Sequence, residues 1–353
     1  MSGKRTTEDH RQWLTERLPR HDRLTRSVVS LLQNMLIEKS VDFLSVSGRT
    51  KSLDGALEKI RRKKYSNPEE RLTDLSGIRV ITYLESQVSQ VETIIRILFA
   101  VDEANSLDRS SVLGSDKIGY RSAHFVCSLG TTREKLPEYD SLGNLKFEIQ
   151  VRTVLQHAWA ELAHDRSFKF GPGLPPTIQR KLNLYSGMLE IVDGAFDSIA
   201  KEIDNYAQEI NAKSLRQISA VEVNSISLSR YVQQISDKYE LDIREGEIPA
   251  ELFVELERFG IQTIGDLDKL ITAETIKLYK SARIQDTPVG FIRQLLMLHD
   301  IDKYFSGPVR WAAIDTDSYE CLKEKYPERK LRNLFHENSI SLEADDYPRD
   351  EEF

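Results

Sequence analysis

LKFEIQVR, residues 145–152, is the clearest structural signal in the chain. Leu145, Phe147, Ile149 and Val151 alternate with Lys146, Glu148, Gln150 and Arg152, the period of two expected of a half-buried β-strand. One face is therefore apolar, and the other carries a carboxylate, an amide and a guanidinium in a row. Working outward, residues 78–84 and 123–129 read as two more strands. A helix is predicted over about 8–45. Another is capped by Ser52 or Asp54 and runs through Leu57 and Ile60 into a basic stretch, until Asn67-Pro68 breaks it. Residues 91–101 and 153–165 read as helices too. The second places His157, Glu161 and His164 at spacings of four and three, on one side.

The chain has 353 residues, 40% hydrophobic and 30% charged, the balance of a globular protein of two ordinary domains. Its formal charge of −7 argues against a wholesale electrostatic coat on nucleic acid. Between Arg49 and Arg71 the sign reverses, with eight basic residues against four acidic ones. The last residues, from Glu343 on, read as a solvated acidic tail. Two cysteines, Cys127 and Cys321, allow neither a disulfide framework nor a four-cysteine zinc site. The polar N-terminus lacks a signal-peptide core, and no apolar run could span a bilayer. A cytoplasmic protein with no membrane contact is the expectation.

Beyond the Gly171-Pro172-Gly173 and Pro175-Pro176 breaks, a long helix is predicted over about 177–210. Leu182, Tyr185, Leu189, Val192, Phe196, Ile199, Ile203 and Tyr206 form a near-heptad stripe. Packing on its own domain is the first reading of that stripe, and a homo-oligomer interface the second. The boundaries read as an N-terminal helical segment at 1–40, a main domain at 41–212, a polar linker at 213–229 and a helical C-terminal domain at 230–353. LERFGIQTIGDL (256–267) is a helical hairpin with a glycine cap, or a helix-hairpin-helix turn of the kind that meets nucleic-acid phosphates.

Three strings carry the chemistry: TDLSGIRV (73–80), GYRSAH (119–124) and FEIQVRT (147–153). Asp74 before one strand and Glu148 on another could hold Mg²⁺ against a polyphosphate. Arg79, Arg109 and the basic run could stabilise phosphoryl charge. Tyr120 could stack on a base. No GxxxxGK[ST] loop is present, which excludes a P-loop. His157, Glu161 and His164 form HxxxExxH, not the HExxH of zinc proteases, so helix packing with substrate contact is the reading.

These strings, with GRTKSLDGALEKI (48–60) and EIQVRTVLQHAWAELAH (148–164), resemble the synthetase domain of the RelA/SpoT alarmone synthetase family over roughly residues 40–170. No hydrolase signature fits before Arg49, so the small single-synthetase members are the better likeness. The resemblance implies an α+β fold, a nucleotidyltransferase-like mixed sheet flanked by helices. It also implies transfer of pyrophosphate from ATP to the ribose 3′-OH of GDP or GTP with Mg²⁺, giving guanosine tetra- or pentaphosphate. By the same resemblance Arg49 and Arg79 would hold the adenine, and Lys51, Lys59 and Arg109 the ATP phosphates, with Arg62 or Lys63 assisting. Asp74 would ligate Mg²⁺. Glu148 would share the metal or deprotonate the 3′-OH. Tyr120 would stack on the acceptor base, with Gln150 and His157 near its edge, and Arg121, His124 and Arg152 would bind acceptor phosphates or brace the site.

The sequence departs from the family before Tyr120, where it reads Asp116-Lys117-Ile118-Gly119, and after Arg109, where it has Ser110 and Ser111. The acceptor therefore stays open. The alternatives are a toxic relative acting on the 3′ end of tRNA or on adenine nucleotides, and an inactive nucleotide-binding regulatory module. The C-terminal domain could autoinhibit, bind a protein partner or regulator, or anchor an oligomer.

Overall fold

The computed structural model describes residues 7–65, 67–108, 122–169 and 174–343, with the backbone alone for 107–108, 163–169 and 343. It divides into two compact units, Met1–Lys201 and Glu202–Phe353.

The first unit is built on a six-stranded mixed sheet of order β1-β2-β6-β5-β3, with β4 also on β5. The strands are β1 (Ser45–Thr50), β2 (Ser76–Thr82), β3 (Ala100–Val101), β4 (Leu107–Asp108), β5 (Ala123–Ser128) and β6 (Phe147–Thr153). β2 and β6 run parallel, and the other pairings are antiparallel. In β6 the predicted alternation holds: Phe147, Ile149, Val151 and Thr153 are buried, and Glu148, Gln150 and Arg152 lie between them half-exposed. The apolar face is covered by α1 (Thr7–Glu38) and α3 (Glu85–Leu98), which bring Leu24, Val28, Leu32, Val91, Ile94 and Ile95 onto Ile78, Val80, Ile149 and Val151. α2 (Leu53–Lys63) packs separately, with Ala56, Leu57 and Ile60 against Leu14, Leu72 and Leu75.

The structure corrects the predicted helix over 8–45. α1 stops at Glu38, where Ser40 turns left-handed at φ 52°. The amides of Ser40 and Val41 donate back to Ile37 and Leu36 carbonyls at 3.0 and 2.9 Å, closing the helix end. The chain then forms β1, a strand without apolar alternation. Gly48 occupies its α1-facing position because α1 passes close: a Cβ there would stand 2.5 Å from Thr25 Cγ2 and 2.8 Å from Val29 Cγ2. α3 begins at Glu85 rather than near 91. Its first amides are capped by Gln87, whose Oε1 accepts from Leu84 N at 2.9 Å, and by the distant Asp197, which accepts from Ser86 N at 2.9 Å.

After β6 come α4 (Val154–Lys169) and the long α5 (Pro176–Ala212). α5 is tied to the sheet by the buried Asp193, which accepts from Thr153 Oγ1 at 2.6 Å. No helix among the described residues is long and apolar enough to cross a membrane.

The second unit is mainly helical: α6 (Ser225–Tyr239), α7 (Ala250–Arg258), α8 (Ile264–Asp268), α9 (Ala273–Ser281), α10 (Pro288–His299), α11 (Ile301–Phe305), α12 (Thr316–Lys323) and α13 (Glu328–Glu337). Two short parallel pairs, β7 (Asp242–Ile243) with β8 (Gln285–Asp286) and β9 (Ala313–Asp315) with β10 (Ser341–Glu343), complete it. Residues 213–229 pack here: Ile218 and Leu228 are fully buried in this core. α7 ends in the glycine cap, with Gly260 at φ 71° and the amides of Gly260 and Ile261 donating to Glu257 and Leu256 carbonyls.

Candidate active site

The polar face of the sheet assembles the predicted residues by register alone. Arg49, Gly77 and Glu148 stand side by side across β1, β2 and β6. The next row is Ser47, Arg79, Gln150 and His124, across β1, β2, β6 and β5. Arg152 lies opposite Ile81, one row further. A cleft of about 320 Å³ opens on these rows, lined among others by Arg49, Asp74, Gly77, Arg79, Glu148 and Gln150. Gly77 leaves the floor between Arg49 and Glu148 clear of any side chain.

Asp74 is placed by its neighbours in sequence. Leu75 is buried in the small core under α2, and its carbonyl accepts from Lys51 N at 2.9 Å. That bond brings the Lys51 side chain over Asp74. α2 delivers Lys59 from the other side, because Ala56, Leu57 and Ile60 hold its opposite face in the core. Lys51 Nζ and Lys59 Nζ both reach Asp74 Oδ2, at 2.8 and 2.6 Å. Burial pushes the Asp74 carboxyl up, but the hydrogen bonds and charges of Lys51 and Lys59 prevail and hold it below its usual value. Its second oxygen, Oδ1, is buried and has no hydrogen-bond partner.

Thr73, the residue before Asp74, ties the two carboxylates into one structure. Its hydroxyl donates to Glu148 Oε1 at 2.6 Å. On the far side Arg79 reaches Glu161 of α4 at 3.0 Å, and His157 Nδ1 lies 3.7 Å from the same oxygen. Burial and then Arg79 lower the His157 pKa, with Glu161 opposing them, so the ring is neutral at pH 7. His124 Nδ1 is 3.3 Å from Gln150 Nε2, and its Nε2 is 2.8 Å from Ser122 Oγ.

Lys51, Lys59, Arg49, Asp74, Arg79, Glu148, Gln150, His124 and His157 are thus gathered around this face. Arg62 is exposed on α2, three residues beyond Lys59, and does not line the cleft. Arg109, Tyr120 and Arg121 lie outside the described residues, as does the His164 side chain. Sequence reading gave no role to Thr73, and gave Glu161 only helix packing with substrate contact as part of HxxxExxH. Both act through partners 75 and 82 positions away, and only the β2–β6 pairing and the return of α4 could have revealed them.

A divalent ion fits the donor set. Hard cations take oxygen ligands, and Asp74 Oδ1 is a buried carboxylate oxygen with a vacant acceptor site. Among the described residues no three His, Cys, Asp or Glu side chains form a metal cluster. The protein's share of such a site would be two carboxylates, with phosphate oxygens supplying the rest, as suits Mg²⁺.

Residues 48–172 match the family described as "Region found in RelA / SpoT proteins". The GTP pyrophosphokinase YjbM of Bacillus subtilis (strain 168) is 27% identical over 160 residues, 45% of this chain and 72% of YjbM. The GTP pyrophosphokinase YwaC of the same organism is 25% identical over 161 residues, 44% of this chain and 73% of YwaC. The crystal structure of the small alarmone synthetase 1 from Bacillus subtilis covers 55% of this chain and 98% of its own, with 23% identity and a TM-score of 0.46. The matched RelA/SpoT region holds every residue of the cleft described above except Ser47.

Proposed function

We propose that the chain is a GTP pyrophosphokinase that moves the β,γ-pyrophosphate of ATP to the ribose 3′-OH of GDP or GTP. The observation that carries this reading is the joined pair of carboxylates, Asp74 with Lys51 and Lys59 and Glu148 with Thr73, inside a RelA/SpoT region. The 3′ oxygen bonds to the β-phosphorus, the α–β bridging P–O bond breaks, and AMP leaves. Glu148 takes the hydroxyl proton on Oε2, since Oε1 already accepts from Thr73. Lys51 and Lys59 hold the triphosphate, and Arg49 and Arg79 flank its adenine. Asp74 and Glu148 would hold Mg²⁺, which when bound would supply charge neutralisation on the phosphate oxygens. Gln150, His124, Arg152 and His157 face the acceptor; of the residues outside those described, Tyr120 and Arg121 are assigned to the acceptor and Arg109 to the ATP phosphates.

The test is to incubate the purified chain with Mg²⁺ and γ-³²P-ATP, offering GDP, GTP, AMP and deacylated tRNA in separate reactions. Label on GDP or GTP is the expected result. Label moved to AMP, to the 3′-OH of a second ATP or to tRNA alone would keep the transfer chemistry and replace the acceptor. No label on any acceptor would end the reading.

A further inference from the structure

Asp74 has one oxygen occupied by two cations and one oxygen buried and vacant. Lys51 and Lys59 converge on Oδ2 at 2.8 and 2.6 Å, so the carboxylate carries two ammonium groups against its single negative charge. A dication approaching Oδ1 from the cleft meets that surplus of positive charge at a few ångströms, where the partly buried site screens it poorly. The lysines are not locked there. Their side chains keep about a fifth of their surface exposed, 22% and 20%, and an ammonium on a four-carbon stem exchanges readily between carboxylate and phosphate oxygens. Among the described residues no other acid is paired with either lysine, so a polyphosphate is the natural alternative acceptor for both.

We infer that Lys51 and Lys59 form an electrostatic gate: they keep Asp74 closed to a divalent ion until a nucleoside triphosphate draws them away, so metal and nucleotide enter together. The inference rests on the proposed pyrophosphokinase reading for the identity of the nucleotide. It goes beyond that reading in making the metal site conditional on the lysines. A triphosphate carries enough negative charge to take both ammonium groups and still ligate the dication, whereas a nucleoside monophosphate carries less and leaves little for the metal.

The experiment uses the full chain and Mn²⁺ as probe, with free ion read by electron paramagnetic resonance and protein-bound ion by water-proton relaxation. Without nucleotide, the wild-type chain should leave Mn²⁺ free. Lys59→Gln, and Lys51→Gln with it, should tighten Mn²⁺ binding by roughly tenfold or more, the effect of removing a like charge at contact distance. Adding Asp74→Asn to Lys59→Gln should remove that gain. In the wild-type chain α,β-methylene-ATP, which cannot transfer pyrophosphate, should bring Mn²⁺ onto the protein, and AMP should not. This last comparison needs no variant, so it stands even if a lysine substitution fails to fold. The gate is overturned if the wild-type chain binds Mn²⁺ alone as tightly as the lysine variants, or if the gain survives Asp74→Asn. Transfer of label is measured separately. A chain that transfers label but binds Mn²⁺ alone loses the gate and keeps the function. A chain that shows the gate but labels no acceptor loses the function and keeps the gate.

Discussion

At the scale of single residues, the site depends on a few oxygens held by named donors. Asp74→Asn and Glu148→Gln should each lower pyrophosphate transfer by at least about a thousandfold, the range in which charge stabilisation and proton removal act. Their unfolding temperatures should stay within a few degrees of wild type, because both carboxylates stand on the cleft side of the sheet rather than in the core. Wild-type rates from either variant would remove the assignment. Thr73 separates holding a carboxylate from merely filling space. Its hydroxyl donates to Glu148 Oε1 at 2.6 Å, and a hydrogen bond to a charged group contributes about 1.5–3 kcal/mol. Thr73→Val keeps the shape and deletes the donor, so kcat should fall roughly tenfold or more with little change in KM for ATP. Thr73→Ser should restore most of it. Equal kcat in the valine and serine variants would show that the bond does not position Glu148.

At the scale of elements, the part legible in the sequence is the part with local periodicity. β6 announced itself because its own residues alternate, and its polar face correctly grouped Glu148, Gln150 and Arg152. β1 did not, because Val46 alone enters the core and Gly48 meets α1 without a side chain. The end of α1 was hidden because a serine, not a glycine, takes the left-handed position. The start of α3 was hidden because Asp197, 111 residues away, accepts from its first turn. Two glycines turn this into a measurement. Gly48→Ala should lower stability by about 1–3 kcal/mol, since its Cβ would collide with Thr25 and Val29 of α1. At Gly77 the nearest atoms to a Cβ are Arg49 O at 3.9 Å and Arg49 Cγ at 4.0 Å, an ordinary contact. Gly77→Ala should therefore fold with near-wild-type stability and lose activity, because the methyl stands on the cleft floor beside Glu148. Denaturant unfolding and transfer assays on the two variants should give opposite patterns. A Gly48→Ala variant as stable as Gly77→Ala would contradict the close approach of α1 to β1.

At the scale of the whole molecule, the two units carry buried groups that titrate in opposite senses. In the first, His21 links α1 to β2, with Nδ1 2.8 Å from Ser76 Oγ. Burial, then Arg17 and Arg20, lower its pKa from 6.5 to about 4. The unfolded chain therefore binds the proton first as pH falls. Stability from this group is complete above about pH 6.5 and is lost between there and about pH 4, by about 3 kcal/mol in all. In the second unit, burial raises Asp286 to about 7, with Asp315 adding to the shift, while Thr287 N and Tyr279 Oη at 2.7 and 3.4 Å oppose it. Here the folded state keeps a proton that the unfolded state releases near pH 4. The contribution is complete below that value and is lost as pH rises through about 7. Calorimetry between about pH 5 and about pH 8 should show one transition moving up with pH and another moving down. His21→Gln should flatten the rising transition and Asp286→Asn the falling one. If both transitions shift the same way, or neither substitution changes its slope, then these two groups do not govern the stability of their units.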